Sequence, residues 1–152
     1  MFIRLLAATV VGGIVYFLLG FVIYGLILDP MVMRPNMNEF AGLIKPEPDL
    51  ILIVFANLIA ALMLAYIFEA LANIRTFVNG LKAGAVIGFL FALSLQLMFM
   101  AFWNLHKNFM PLVGDVVGST ILTAVGGGVI AQVLGMMSKS SSGAASAESS
   151  GE

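Results

Sequence analysis

The stretch GGIVYFLLGFVIYGLIL, Gly12–Leu28, holds no charged residue, yet it carries four glycines and two tyrosines. Its length decides the fold. Crossing ~30 Å of hydrocarbon takes about 20 helical residues at ~1.5 Å each, and the uncharged run extends back to Leu5. Three further apolar runs, each with a single charged residue, are also long enough: Leu50–Leu71, Leu81–Trp103 and Val113–Met137. A segment in lipid must satisfy its backbone hydrogen bonds internally, so each reads as a helix. The expected fold class is all-α: a polytopic membrane protein with a four-helix, up-down transmembrane bundle.

Composition agrees. Of 152 residues, 61% are hydrophobic and only 10% charged, against about 25% charged in soluble domains. Mean hydropathy is +1.08. A water-soluble fold of this size would leave apolar surface uncovered, so the bilayer is the expected partner. A net charge of −1 argues against nucleic acid. The chain has no cysteine, which excludes disulfides, thiolate metal sites and cysteine nucleophiles. A signal peptide is the rival reading of the first run. That run exceeds the apolar region of such peptides, and no A-x-A site precedes LDP at Leu28–Pro30, so a retained helix is preferred.

The connections differ. Asp29–Asp49 contains Pro30, Pro35, Pro46 and Pro48 and is not one regular helix; FAGLI within it, Phe40–Ile44, is expected to dip into the interface. Asn73–Gly80 is a tight turn, and Asn104–Leu112 a short loop. From Ser138, SKSSSGAASAESSGE reads as a disordered polar tail. One side would carry Arg4, Arg75, Lys82 and Lys139, the other Arg34, Lys45 and Lys107. The margin favours both termini in the cytoplasm.

Glycines and tyrosines in the opening stretch recur every fourth residue: Gly12, Tyr16, Gly20 and Tyr24 share one side of a helix. The second run has Asn57, Ala61, Ala65 and Glu69 at that spacing. The third has Gly80, Gly84, Gly88, Ala92 and Gln96; the fourth has Ser119, Thr123, Gly127, Ala131 and Gly135. Leucine gains little by leaving lipid for another helix, so association rests on close contact and interhelical hydrogen bonds, and small residues mark the seams. Gly12, Gly20, Gly84, Gly88, Thr123 and Gly127 are therefore expected at helix contacts, with tyrosine hydroxyls reaching Asn57 or Gln96. The competing view is that glycine is simply frequent in membrane helices.

Candidates for function are few. Glu69 is a carboxylate near a helix end. It would serve proton or cation coupling, or pair at the interface with Arg75, Lys82 or Lys139, and in the second case Glu69→Gln is tolerated. Asn57 and Gln96 would line a polar site or tie helices together. Asp115 is expected to cap the fourth helix. Met31, Met33, Met37, His106 and Met110 are soft ligands suited to Cu(I), although methionine is abundant here and flexible at interfaces. No GxGxxG, P-loop, HExxH or GxSxG is present, and the single histidine weakens a catalytic triad. No cofactor and no enzymatic activity are expected.

VGGIVYFLLGFVIYGLIL at Val11–Leu28 and AYIFEALANIRTFVNGLKAGAVIGFLFALS at Ala65–Ser94 resemble a group of small four-helix bacterial membrane proteins of unknown function. The resemblance covers about Phe2–Met137 and implies the bundle and a bacterial inner membrane, but no activity. Two functions follow from the sequence: a non-enzymatic structural or interaction protein, or a small oligomeric transporter or channel. Their partners would be another membrane protein or further copies of the chain. If Glu69, Asn57, Gln96 and the tyrosines converge on a cavity, transport gains; if they pair in a filled core, the structural reading gains.

Overall fold

The computed structural model describes residues 1–43 and 45–149. Among them the architecture is helical, with four helices long and apolar enough to cross a membrane. They are α1 (Phe2–Asn36), α2 (Leu50–Leu71), α3 (Phe77–Phe102) and α4 (Met110–Ser149).

Helix α1 is longer than the sequence suggests. It is regular to Gly20, opens into wider turns over Phe21–Met33, and closes with a short α-turn at Arg34–Asn36. The wide turns carry it past Pro30, where a helix end was expected. The Arg34 N–H reaches back five residues to the Asp29 carbonyl, the i→i+5 pattern of such turns. Helix α2 begins where Asp49 accepts hydrogen bonds from the Ile51 and Leu52 N–H groups, each at 3.1 Å. It ends at Asn73, whose positive φ of 50° turns the chain, a conformation that asparagine tolerates better than most residues. The next N–H, of Ile74, bonds the Phe68 carbonyl at 2.9 Å.

Helix α4 starts earlier than Asp115. Asn108 accepts from the Met110 N–H at 2.9 Å, so Asn108 caps the helix and Asp115 stands on its second turn. At the other end α4 runs through Ser149, where a disordered tail was expected. Ala144, Ala145 and Ala147 are strong helix formers and no proline interrupts the continuation. Residues 150–152 of that tail, and Ile44 of FAGLI, lie outside the described residues. Phe40–Leu43 is an exposed turn.

Helix α4 is central and packs on α1, α2 and α3. The core gathers Ala8 and Tyr16 of α1, Leu64 and Phe68 of α2, and Ile130 and Leu134 of α4. The seam between α3 and α4 is backbone against backbone. A methyl group placed on Gly84 would overlap the Thr123 carbonyl, and one on Gly80 the Gly127 carbonyl. On Gly88 it would meet the Thr123 side chain, and on Gly127 the Gly80 carbonyl. Gly12 is equally confined, by Ile130 and Ala61. Gly20 differs: no atom lies within 4 Å of such a methyl, so this glycine is not on a seam. It lies on a cleft between α1 and α2.

Large apolar side chains point outward, as lipid would require: Leu50, Phe55 and Phe91 are each about 60% exposed. The two connections at the loop end are stitched together. Met37 and His106 form an antiparallel bridge, the Asn38 N–H donates to the Leu105 carbonyl at 2.8 Å, and Asn108 Nδ2 donates to Asn36 Oδ1 at 2.7 Å.

Candidate functional site

Two polar layers lie at opposite ends of the bundle, and they are built differently. At the end bearing the N-terminus, Glu69 is buried with only 3% of its side chain exposed. Arg4 Nη1 stands 3.3 Å from one carboxylate oxygen and Arg75 Nη2 3.4 Å from the other. Arg75 also donates to Ser138 Oγ. This cluster joins α1, α2, the α2–α3 turn and α4. Of the partners expected for Glu69, Arg75 is present. Arg4 was not foreseen, because it lies 65 positions away in sequence and only the packing of α1 on α2 brings it near. Glu69 is thus closed off by cations.

The layer toward the loop end is open. Helices α2 and α3 barely touch each other, which leaves a cleft of about 380 Å³ between them, floored by α4 and Tyr16. Asn57 of α2, Gln96 of α3, and Asp115, Ser119 and Thr123 of α4 line it. Asn57 is seven residues, Gln96 six and Asp115 five from the loop-end terminus of its helix. At the ~1.5 Å rise of an α-helix that places all three roughly 8–11 Å below the helix ends. Apolar walls complete the cleft, and its rim residues Met63, Phe91, Leu95 and Phe99 are exposed, so it opens sideways.

The hydrogen bonds of this layer leave acceptors facing the space. Asn57 Nδ2 donates to the Ile53 carbonyl at 2.8 Å, within its own helix, so Asn57 does not tie two helices together as expected. Tyr24 Oη lies 2.6 Å from Ser119 Oγ and 3.4 Å from the main-chain oxygen of Asp115. Tyr24 therefore joins α1 to α4, and not to Asn57 or Gln96. Tyr16 is buried with its ring against Gly126. Gln96 is 8% exposed, and its Oε1 has no hydrogen-bond partner among the described residues. A buried acceptor without a donor costs about 1–3 kcal/mol. No Lys, Arg or His lines the cleft, and none of the described cations lies within ion-pair distance of Asp115.

Below the cleft the bundle is filled. Leu64, Phe68, Ile130 and Leu134 are at most 1% exposed. Glu69 is not on the lining of the cleft, and a shallower groove between α2 and α3 continues below the cleft past Ile87, Ala83 and Phe68. The residue missed by sequence reasoning is Asp115, taken for a cap. The signal was present: Asp115 precedes Ser119 and Thr123 by steps of four and extends their stripe upward.

As for metals, no group of three or more His, Asp and Glu side chains that would hold an ion occurs among the described residues. Met37 and His106, two of the soft-ligand candidates, are held side by side by a backbone bridge, and His106 Nδ1 is buried without a hydrogen-bond partner among the described residues. No family model, curated protein or solved structure matches the chain, so the reading of the site rests on its geometry.

Proposed function

We propose that the chain is a multi-pass protein of the bacterial cytoplasmic membrane, with both termini in the cytoplasm, and that it is a non-enzymatic interaction protein binding a small amphiphile within the bilayer. The carrying observation is the buried Gln96 Oε1, unpaired in a side-opening cleft of ligand size. A polar atom held there without a partner is stabilised once a ligand's donor reaches it. The apolar walls and exposed rim suit a molecule that arrives from the lipid phase. Arg4 and Arg75 at the opposite end support the orientation, since cytoplasmic flanks favour basic residues. The absence of catalytic motifs in the sequence supports a binding role.

The transporter reading draws on the same cleft, where polar residues of α2, α3 and α4 meet. The filled core below Leu64 weighs against a continuous pore through one copy.

The test is photo-cross-linking in phosphatidylcholine nanodiscs with a diazirine-bearing long-chain alcohol. Saturable labelling of Met63, Phe91 and Leu95 is expected, displaced by unlabelled dodecanol and reduced by Ala60→Phe, which narrows the cleft wall. Labelling spread evenly over all lipid-facing residues, indifferent to competitor, would overturn the proposal.

A further inference from the structure

We infer that the cleft between α2 and α3 selects amphiphiles whose head group is a hydrogen-bond-donating cation, an aliphatic ammonium in the simplest case. The inference rests on the binding role proposed above and adds the chemistry of the ligand.

The charge of the cleft is one-sided: Asp115 is the one charged residue on its lining. Asn57 has its amide nitrogen on the Ile53 carbonyl, which leaves its oxygen as the free group. Gln96 offers Oε1, and Asp115 adds a carboxylate. Ser119 and Tyr24 bond each other, and the Tyr24 hydroxyl also stands beside Asp115, a neutral neighbour that leaves the carboxylate's charge unpaired. The site therefore offers three acceptor groups, one of them the Asp115 carboxylate, beside the Gln96 amide N–H and the Thr123 hydroxyl as donors, and no basic residue stands on its lining. A head group that only accepts hydrogen bonds would leave Gln96 Oε1 unpaired, and an anionic one would in addition meet the Asp115 carboxylate with like charge. An ammonium has three donors and no acceptor, which complements this set.

The walls say the rest of the ligand is organic. Hard inorganic divalent cations take about six or more oxygen ligands, and here the other lining groups are largely hydrocarbon. Phe91 and Phe99 also stand on the lining, and aromatic faces attract cations. A carboxylate within a membrane helix is costly unless it has a partner. Glu69 has two arginines, whereas Asp115 has no cation among the described residues. The bound ligand supplies the missing one. The surrounding field does not oppose it: Asp29, Glu39, Glu47 and Asp49 at the loop end outnumber Arg34, Lys45 and Lys107.

The experiment uses the full chain in the same nanodiscs and measures displacement of the photoreactive alcohol by dodecylammonium, dodecanol and dodecanoate. Dodecylammonium is expected to compete at concentrations about tenfold below dodecanol, with dodecanoate the weakest. Asp115→Asn, which removes the charge at nearly constant volume, brings dodecylammonium to the level of dodecanol. Gln96→Leu, which removes an acceptor but no charge, weakens both competitors and keeps the advantage. Equal competition by dodecylammonium and dodecanol in the wild-type protein, or an advantage that survives Asp115→Asn, overturns the cation selectivity and leaves the binding role standing. Failure of every competitor to displace the label overturns the binding role itself.

Discussion

Replacing one glycine by leucine at two sites of the same spacing should give effects of opposite sign. At Gly84 the helices α3 and α4 touch through their backbones, and even a methyl group would enter the Thr123 carbonyl. A leucine there forces the helices apart. If Gly80, Gly84 and Gly88 each hold on the order of ten close heavy-atom pairs at ~0.1–0.2 kcal/mol, the seam is worth ~3–6 kcal/mol. Relaxation recovers part of it, so Gly84→Leu should destabilise by about 2–4 kcal/mol, in the upper range of overpacking. At Gly20 nothing lies within 4 Å. There leucine meets open space and improves helix propensity, a gain of up to ~1 kcal/mol. The assay is unfolding in dodecylmaltoside micelles with rising dodecylsulfate, followed by far-UV circular dichroism. Unfolding of Gly84→Leu at the wild-type detergent ratio, or equal shifts for both variants, would refute the seam argument.

Two further substitutions test the polar layers. Glu69→Gln leaves Arg4 and Arg75 facing each other. Removing one partner of a buried pair costs ~3–5 kcal/mol. The two arginine side chains are 24% and 33% exposed, so solvent screening lowers the expectation to about 1–3 kcal/mol. Unfolding of Glu69→Gln and of the Arg4→Gln, Glu69→Gln double variant measures it, and a loss below ~0.5 kcal/mol would place Glu69 in water. Tyr24→Phe removes the hydroxyl that meets Ser119; about 0.6 kcal/mol, at most ~1.7, should be lost. A double-mutant cycle with Ser119→Ala that returns no coupling would contradict the contact.

Much of the fold was legible because lipid makes two demands that residue types reveal directly. Length and apolarity mark the helices, and small residues mark close contacts. Gly84, Gly88, Thr123, Gly127 and Gly12 stand at such contacts by the same spacing that singled them out. Gly20 shares that spacing and does not, because it faces a cleft between α1 and α2 where α1 changes to wider turns at Phe21. Spacing reports which side of a helix a residue occupies, but not whether a neighbour is there. Helix ends were less legible. Pro30 signals a stop only if turns keep four-residue bonding, and the wide turns of α1 avoid that. Of the site, Asn57 and Gln96 were visible as polar residues in apolar runs. The splaying of α2 from α3 was not, since it is a property of packing and leaves no mark in either helix alone.

The contrast between the two carboxylates follows from those packing differences. Glu69 lies where α1, α2 and α4 are pressed together by Ala65, Phe68 and Leu134, and where two basic residues end their runs within reach. Asp115 lies on the cleft between α2 and α3, with no basic residue on its lining and no ion pair among the described residues. The same side-chain chemistry is therefore internally neutralised at one end and left for an external partner at the other. If the upper part of α2 closed on α3, the Asp115 carboxylate would be taken further from water with no cation beside it, which is costly, whereas Gln96 Oε1 is already buried without a partner. A cationic ligand paired with the carboxylate would remove that cost. Occupancy and closure of α2 on α3 are then linked, so a bound ammonium should protect the Asn57–Leu64 backbone amides from hydrogen exchange, while dodecanoate should not.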